Sequence, residues 1–164
     1  MRGYAAMAAT TPDFFLHSGD TIYADGPIEA RLAEPDGTSW RNLVTEEVSK
    51  VAETLKEYRG RHRYNMMDQN VRAMYAHVPV IAPWDDHETV NNGYPGEVLD
   101  DPRYTVRDVH TLAVRGRRAW QEYMPPLRAR ANTSTSAMWI SQATARSSPS
   151  GSSTPTERCN RPGR

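Results

Sequence analysis

Cysteine is nearly missing from this chain, which holds one, Cys159, among 164 residues. One thiol forms neither an internal disulfide nor a cysteine cage for a metal, so disulfide scaffolds and zinc-ribbon classes are excluded. Long apolar runs are missing as well. No stretch reaches the roughly 18 apolar residues of a membrane span. The N-terminal segment has no apolar core of signal-peptide length. No internal repeat is visible. The basic run Arg115-Gly116-Arg117-Arg118 has no interleaved aromatics, so it reads as an exposed helix face and not as a nucleic-acid site. Arg59-Gly60-Arg61-His62-Arg63 reads as a solvated helix end, with a phosphate clamp as the alternative.

Net charge is also absent, but only as a sum, since 20 basic residues balance 20 acidic ones. Residues 1–127 hold 19 Asp plus Glu and 14 Lys plus Arg, a net charge of −5, whereas residues 128–164 hold six Arg and one acid, a net charge of +5. The boundary near residue 128 divides the chain into a domain-like part, 1–127, and a tail. In the tail Ser, Thr, Ala and Arg dominate, and Met138-Trp139-Ile140 is the one apolar cluster. Such a composition buries too little surface to offset chain entropy, so disorder is expected over 128–164.

Within 1–127 the pattern is that of an α/β protein. Gly3 to Thr10 reads as the end of a helix stopped by Pro12. Asp13 to His17 and Pro79 to Trp84 are short apolar runs that read as strands, the first of them buried. Asp20 to Asp36 reads as loop. Val48, Val51, Ala52, Leu55 and Tyr58 recur at helical spacing, which predicts an amphipathic helix over 46–62 with Thr45 as its N-cap. Further helices are predicted over 68–77 and 106–123, with a long loop over 85–105. Strand, helices, strand and helix in that order imply a right-handed crossover between parallel strands.

Two acidic clusters directly follow the two predicted strands. One is Gly19-Asp20-Thr21-Ile22-Tyr23-Ala24-Asp25, and the other is Asp85-Asp86-His87-Glu88 followed by Asn91-Asn92. Ligand sites in parallel sheets collect where strands end, so Asp20 and Asp86 are expected to face one another, closer than about 10 Å if two metals share the site. Carboxylates with one imidazole suit hard divalent or trivalent ions. Each cluster alone has a plainer reading, the first as a turn and the second as a solvated loop or helix start. His17, His62, His77 and His110 read as locally hydrogen-bonded histidines, not as ligands.

The run Phe14-Phe15-Leu16-His17-Ser18-Gly19-Asp20-Thr21-Ile22-Tyr23-Ala24-Asp25 resembles the H-x-GD-x-IYAD signature of the PhoD-like alkaline phosphatase (alkaline phosphatase D) family. Tyr58-Arg59, Tyr64 and Pro79-Val80-Ile81-Ala82-Pro83-Trp84-Asp85-Asp86-His87-Glu88 with Asn91-Asn92 are similar to its next blocks, in order. The resemblance covers about residues 3–127. It implies a calcineurin-like metallophosphoesterase fold, an α/β/β/α sandwich present here only in part. It further implies hydrolysis of phosphate mono- and diesters with Fe³⁺ and Ca²⁺.

By the same resemblance, Asp20 bridges two metals, Tyr23 gives its phenolate to the ferric ion, and Asp86 binds the second metal. His87 stabilises the phosphoryl group or protonates the leaving oxygen, while Asp85 and Glu88 orient these ligands. The expected partner is a phosphate ester, with no nucleic acid. Family members are typically exported, often by the twin-arginine route, and no such signal is visible here. The family's ligand-bearing segments before and after this region are not found in the sequence, and the tail resembles the product of a shifted reading frame. The expectation is therefore a piece with weak or no activity. The alternatives are a non-catalytic metal-binding fragment and a purple acid phosphatase-type enzyme, the latter disfavoured by Asp86 where those enzymes keep Asn.

Overall fold

The computed structural model describes residues 1–124. The expectations for Cys159 and for the tail over 128–164 lie outside the described residues. Alanine-rich α1 (Arg2–Ala9) ends three residues before Pro12. After it come β1 (Phe15–Leu16), β2 (Arg31–Ala33), β3 (Ser39–Arg41), a 3-10 turn (Glu46–Val48), α2 (Leu55–Asn65), α3 (Gln69–His77), β4 (Val80–Ile81) and α4 (Val109–Tyr123). Strands β1 and β4 pair in parallel, Phe15 with Val80 and Leu16 with Ile81. The Phe15 and His17 amides extend the ladder to the carbonyls of Pro79 and Ile81. The parallel pairing of the two apolar runs is thus as expected.

The sheet is covered on one side. Phe15 meets Tyr4 of α1 edge-on, and Tyr4 meets Tyr75 of α3 in the same way. On the other side Leu16 is 62% and Ile81 40% exposed, with Phe14 exposed beside them. The expectation of a buried first strand is therefore corrected. Alternation along a strand sends successive side chains to opposite faces, and among the described residues only one face has a covering layer.

The helix predicted over 46–62 is also corrected. A 3-10 turn and an extended run occupy 46–54, and α2 starts at Leu55. Thr54, not Thr45, is its cap: the Thr54 hydroxyl accepts the Glu57 amide while the Glu57 carboxylate accepts the Thr54 amide, a reciprocal pair at the helix start. Val48, Val51 and Ala52 are buried as expected, but from the 3-10 turn and the run that follows it. The 20–36 loop contains β2, which forms an antiparallel hairpin with β3 around Pro35-Asp36-Gly37-Thr38. The third predicted helix begins at Val109, because Asp108 accepts the Thr111 amide and sets the start there. Its buried residues Val109, Leu112, Ala113, Gly116, Ala119 and Trp120 form one face.

The core lies behind the first acidic cluster. Ile22 and Ala24 of that segment pack with Ala52, Tyr58, Leu55 and Ala119. The backbone stitches the same place together, since the Ala24 amide donates to the His87 carbonyl and the Ala52 amide to the Ala24 carbonyl, 2.9 and 2.8 Å. Helix α4 closes on it so tightly that a methyl on Gly116 would lie 2.8 Å from the Glu88 carbonyl oxygen.

Candidate metal centre

Parallel pairing of β1 and β4 delivers the two acidic segments to the same end of the sheet. Gly19 and Asp20 turn the chain out of β1 with φ of 95° and 50°, both in the left-handed region. Glycine is needed at 19 for space as well, because a Cβ there would lie 2.5 Å from an Asp85 carboxylate oxygen. Within this segment Thr21, Ile22 and Ala24 are buried while Tyr23 stays 55% exposed.

The two segments are locked by Glu88, which is 0% exposed. One of its carboxylate oxygens accepts the Thr21 amide and hydroxyl at 2.5 and 2.7 Å, and the other accepts the Asp85 amide at 2.7 Å. Burial raises the Glu88 carboxyl above its ordinary range, while the Thr21 and Asp85 donors pull against that shift. Glu88 thus sets the separation of the two loops. Asp85 accepts the Asp86 amide, 2.9 Å, and packs against Gly19.

On this frame Asp20, Asp86 and His87 each offer one ligand atom, all within 4.8 Å of one another. Tyr23 joins them, its hydroxyl 3.4 Å from Asp20 Oδ2 and its ring 4.3 Å from the His87 ring. The Asp20 charge holds the Tyr23 phenol above its ordinary range. Asp86 accepts the amides of His87 and Asn92, 3.0 and 2.5 Å, which fixes its carboxylate. The residues expected to act together are therefore together, and Asp85 and Glu88 lie behind them.

The donor set fits a hard cation. Asp20 Oδ1 is buried with no hydrogen-bond partner, an arrangement unfavourable for a carboxylate oxygen unless a cation meets it. Two carboxylates, an imidazole and a phenol at this range are ligand types that suit a hard divalent or trivalent ion.

Two residues were not assigned from sequence. Asp25 accepts from His87 Nδ1 at 2.8 Å and from the Asn91 amide at 2.9 Å, which orients the imidazole and leaves Nε2 for the site. The signal was present in the Tyr23-Ala24-Asp25 run, two residues past the expected tyrosine ligand. Arg61 is the second. It is 3% exposed, so the reading of Arg59 to Arg63 as a solvated end holds for Arg59 and Arg63 and fails for Arg61. His62 is likewise buried, and its Nε2 has no hydrogen-bond partner; the ring stacks on Tyr123 at 5.0 Å. The expectation of a locally hydrogen-bonded histidine is corrected at that atom, and at His17 Nδ1, which is also buried and unpartnered.

Comparison with known proteins identifies the family. The family model described as PhoD-like phosphatase matches residues 1–144. The chain is 33% identical over 120 residues to alkaline phosphatase D of Bacillus subtilis (strain 168), covering 73% of this chain and 18% of that protein. A solved chain titled "Structure of PhoD" superposes with a TM-score of 0.55 at 30% identity, covering 79% of this chain and 23% of the other. The present chain thus spans less than a quarter of either relative. With both acidic motifs inside the matched region, the chain belongs to the PhoD-like phosphatase family.

Proposed function

We propose that this chain carries one part of a two-metal phosphoesterase site, for phosphate mono- and diesters, and hydrolyses them weakly or not at all as it stands. The observation that carries the reading is the buried, unpartnered Asp20 Oδ1 amid the Asp86 and His87 ligand atoms. Asp20 would bridge Fe³⁺ and Ca²⁺, with Tyr23 on the ferric side and Asp86 on the other. The ions, when bound, supply an activated water and stabilise charge on the transferring phosphoryl group. His87, held by Asp25 through Nδ1, would in its doubly protonated form present an Nε2–H that donates a proton to the leaving oxygen or a hydrogen bond to the phosphoryl oxygens. Asp85 and Glu88 keep the two ligand loops at fixed separation.

The ligand set is about half of what two ions need. The same reading places the sheet in an α/β/β/α sandwich, with α1 and α3 as one outer layer and a second sheet over Phe14, Leu16 and Ile81. The test is turnover of p-nitrophenyl phosphate and bis-p-nitrophenyl phosphate with Fe³⁺ and Ca²⁺, by this chain and by one extended at both ends to the length of its relatives. Turnover by the extended chain alone, lost in Asp20→Asn and His87→Ala, supports the proposal. Robust turnover by the short chain, lost in Asp20→Asn, overturns the partial-site reading. Turnover in the extended chain that survives Asp20→Asn overturns the site assignment.

A further inference from the structure

The inner row of α2 meets the acidic loop in a way that neither the motifs nor the metal chemistry explains. Asn65 donates from Nδ2 to the Thr21 carbonyl at 2.7 Å, and Arg61 from its guanidinium to the Tyr23 carbonyl at 3.1 Å. A second Arg61 nitrogen donates to the Lys50 carbonyl. Residues 61 and 65 are one helical turn apart, so their side chains leave the helix about 6 Å apart on one face. Residues 21 and 23 are two apart along the loop that leaves β1. One helix row thus holds alternate carbonyls of the loop, Asn65 the first and Arg61 the second.

We infer that Arg61 and Asn65 are the positioning residues of the acidic loop, acting through its Thr21 and Tyr23 carbonyls. With those carbonyls taken by α2, the side chains of Asp20, Tyr23 and Asp25 are left for the site. Neither residue touches the cluster. Arg61 is suited to the task because a planar fork spans two carbonyls at once, which an ammonium does not. Its charge also attracts Asp25, the residue that orients His87. Burial lowers the guanidinium from its ordinary value, and Asp25 is the leading group acting against that shift. The row therefore acts on the metal ligands through backbone and on His87 through Asp25.

This inference rests on the phosphoesterase reading only for what the loop is held to do. Its test needs neither metal nor substrate, so the two readings fail separately. Amide hydrogen exchange is measured on the full chain for wild type, Arg61→Lys, Arg61→Met, Asn65→Ala and the outward-facing control Arg63→Met. The ring nitrogens of His87 are followed in the same samples by long-range ¹H–¹⁵N correlation. Loss of one such bond should speed exchange at Thr21 and Ala24 by about tenfold or more, with α3 and α4 amides unchanged. Arg61→Met should also shift the His87 ring-nitrogen signals, because the Asp25 carboxylate that faces Nδ1 loses a nearby cation. Arg61→Lys, which keeps the charge but not the fork, should loosen the loop while leaving those ring signals unchanged. Arg63→Met should match wild type.

Should Arg61→Met not fold, Arg61→Lys and Asn65→Ala carry the test alone, since Asn65 lies at the helix end and is only half-buried. Exchange at 21–25 equal to wild type in both would overturn the inference. So would acceleration spread evenly over all four helices, which marks a general loss of stability.

Discussion

Lowering the pH should destabilise this domain through His62. The imidazole is 1% exposed, stacked on Tyr123, and its Nε2 has no partner. Burial pushes its pKa down from 6.5 to about 4. The folded state therefore holds His62 neutral while the unfolded chain takes up a proton near pH 6.5. Stability is fully present above 6.5 and is lost as pH falls from 6.5 toward 4, because over that window the unfolded state binds more protons. The shift corresponds to roughly 3 kcal/mol in total, of which about 2 kcal/mol is lost between pH 7 and pH 5. The assay is urea unfolding at both pH values for wild type and His62→Phe, a ring that keeps the stack but does not titrate. Glu88, raised by burial, titrates in both proteins and drops out of the difference. The variant should lose about 2 kcal/mol less than wild type between pH 7 and pH 5. Equal losses would refute the reasoning, and His62 would then have to find a partner for its proton in the folded state.

Gly116→Ala should destabilise by about 1–2 kcal/mol despite the better helix propensity of alanine, because the added methyl meets the Glu88 carbonyl at 2.8 Å with Tyr58 and Trp84 close behind; thermal melts would show it. Thr54→Ala should cost about 1 kcal/mol by removing the reciprocal cap of α2, whereas Thr45→Ala should change stability by no more than about 0.5 kcal/mol. Leu16→Ser, on the uncovered sheet face, should stay within about 0.5 kcal/mol of wild type in urea and reduce self-association in sedimentation. Ca²⁺ should raise the melting temperature of wild type more than that of Asp20→Asn, and an equal rise in both would remove Asp20 from the cation site.

How far the sequence could be read depended on whether a signal was local. Helix α3 was legible because Val71, Met74 and Tyr75 recur at helical spacing, and the structure adds Asp68 as its cap. The start of α2 was not. Val48, Val51 and Ala52 are buried at spacings that a helix shares with a folded-back loop, and only the Thr54–Glu57 reciprocal pair marks the true start. The β2–β3 hairpin escaped because both strands are exposed on both faces, so no alternation of apolar residues announces them. At the site, Asp20, Tyr23, Asp86 and His87 were legible as motif residues. Arg61 and Asn65 were not, since a helix row facing backbone carbonyls needs no special residue pattern in the segment it holds. Asp25 stood in plain view, but its role depends on a partner 62 residues away.

The left-handed backbone at Asp20 sets two selective pressures against one another. A φ of 50° disfavours any residue with a Cβ by roughly 1–2 kcal/mol relative to glycine, with aspartate among the more tolerant. Replacing Asp20 by glycine would relieve that strain and remove the buried oxygen that has no partner. The position is thus one where losing the chemistry strengthens the fold. A library randomised at residue 20 and sorted for thermal tolerance alone should drift to glycine, while one sorted for cation binding should return aspartate. In a lineage released from catalysis, the same drift would erase this carboxylate early, ahead of residues such as Glu88 whose loss would also loosen the fold.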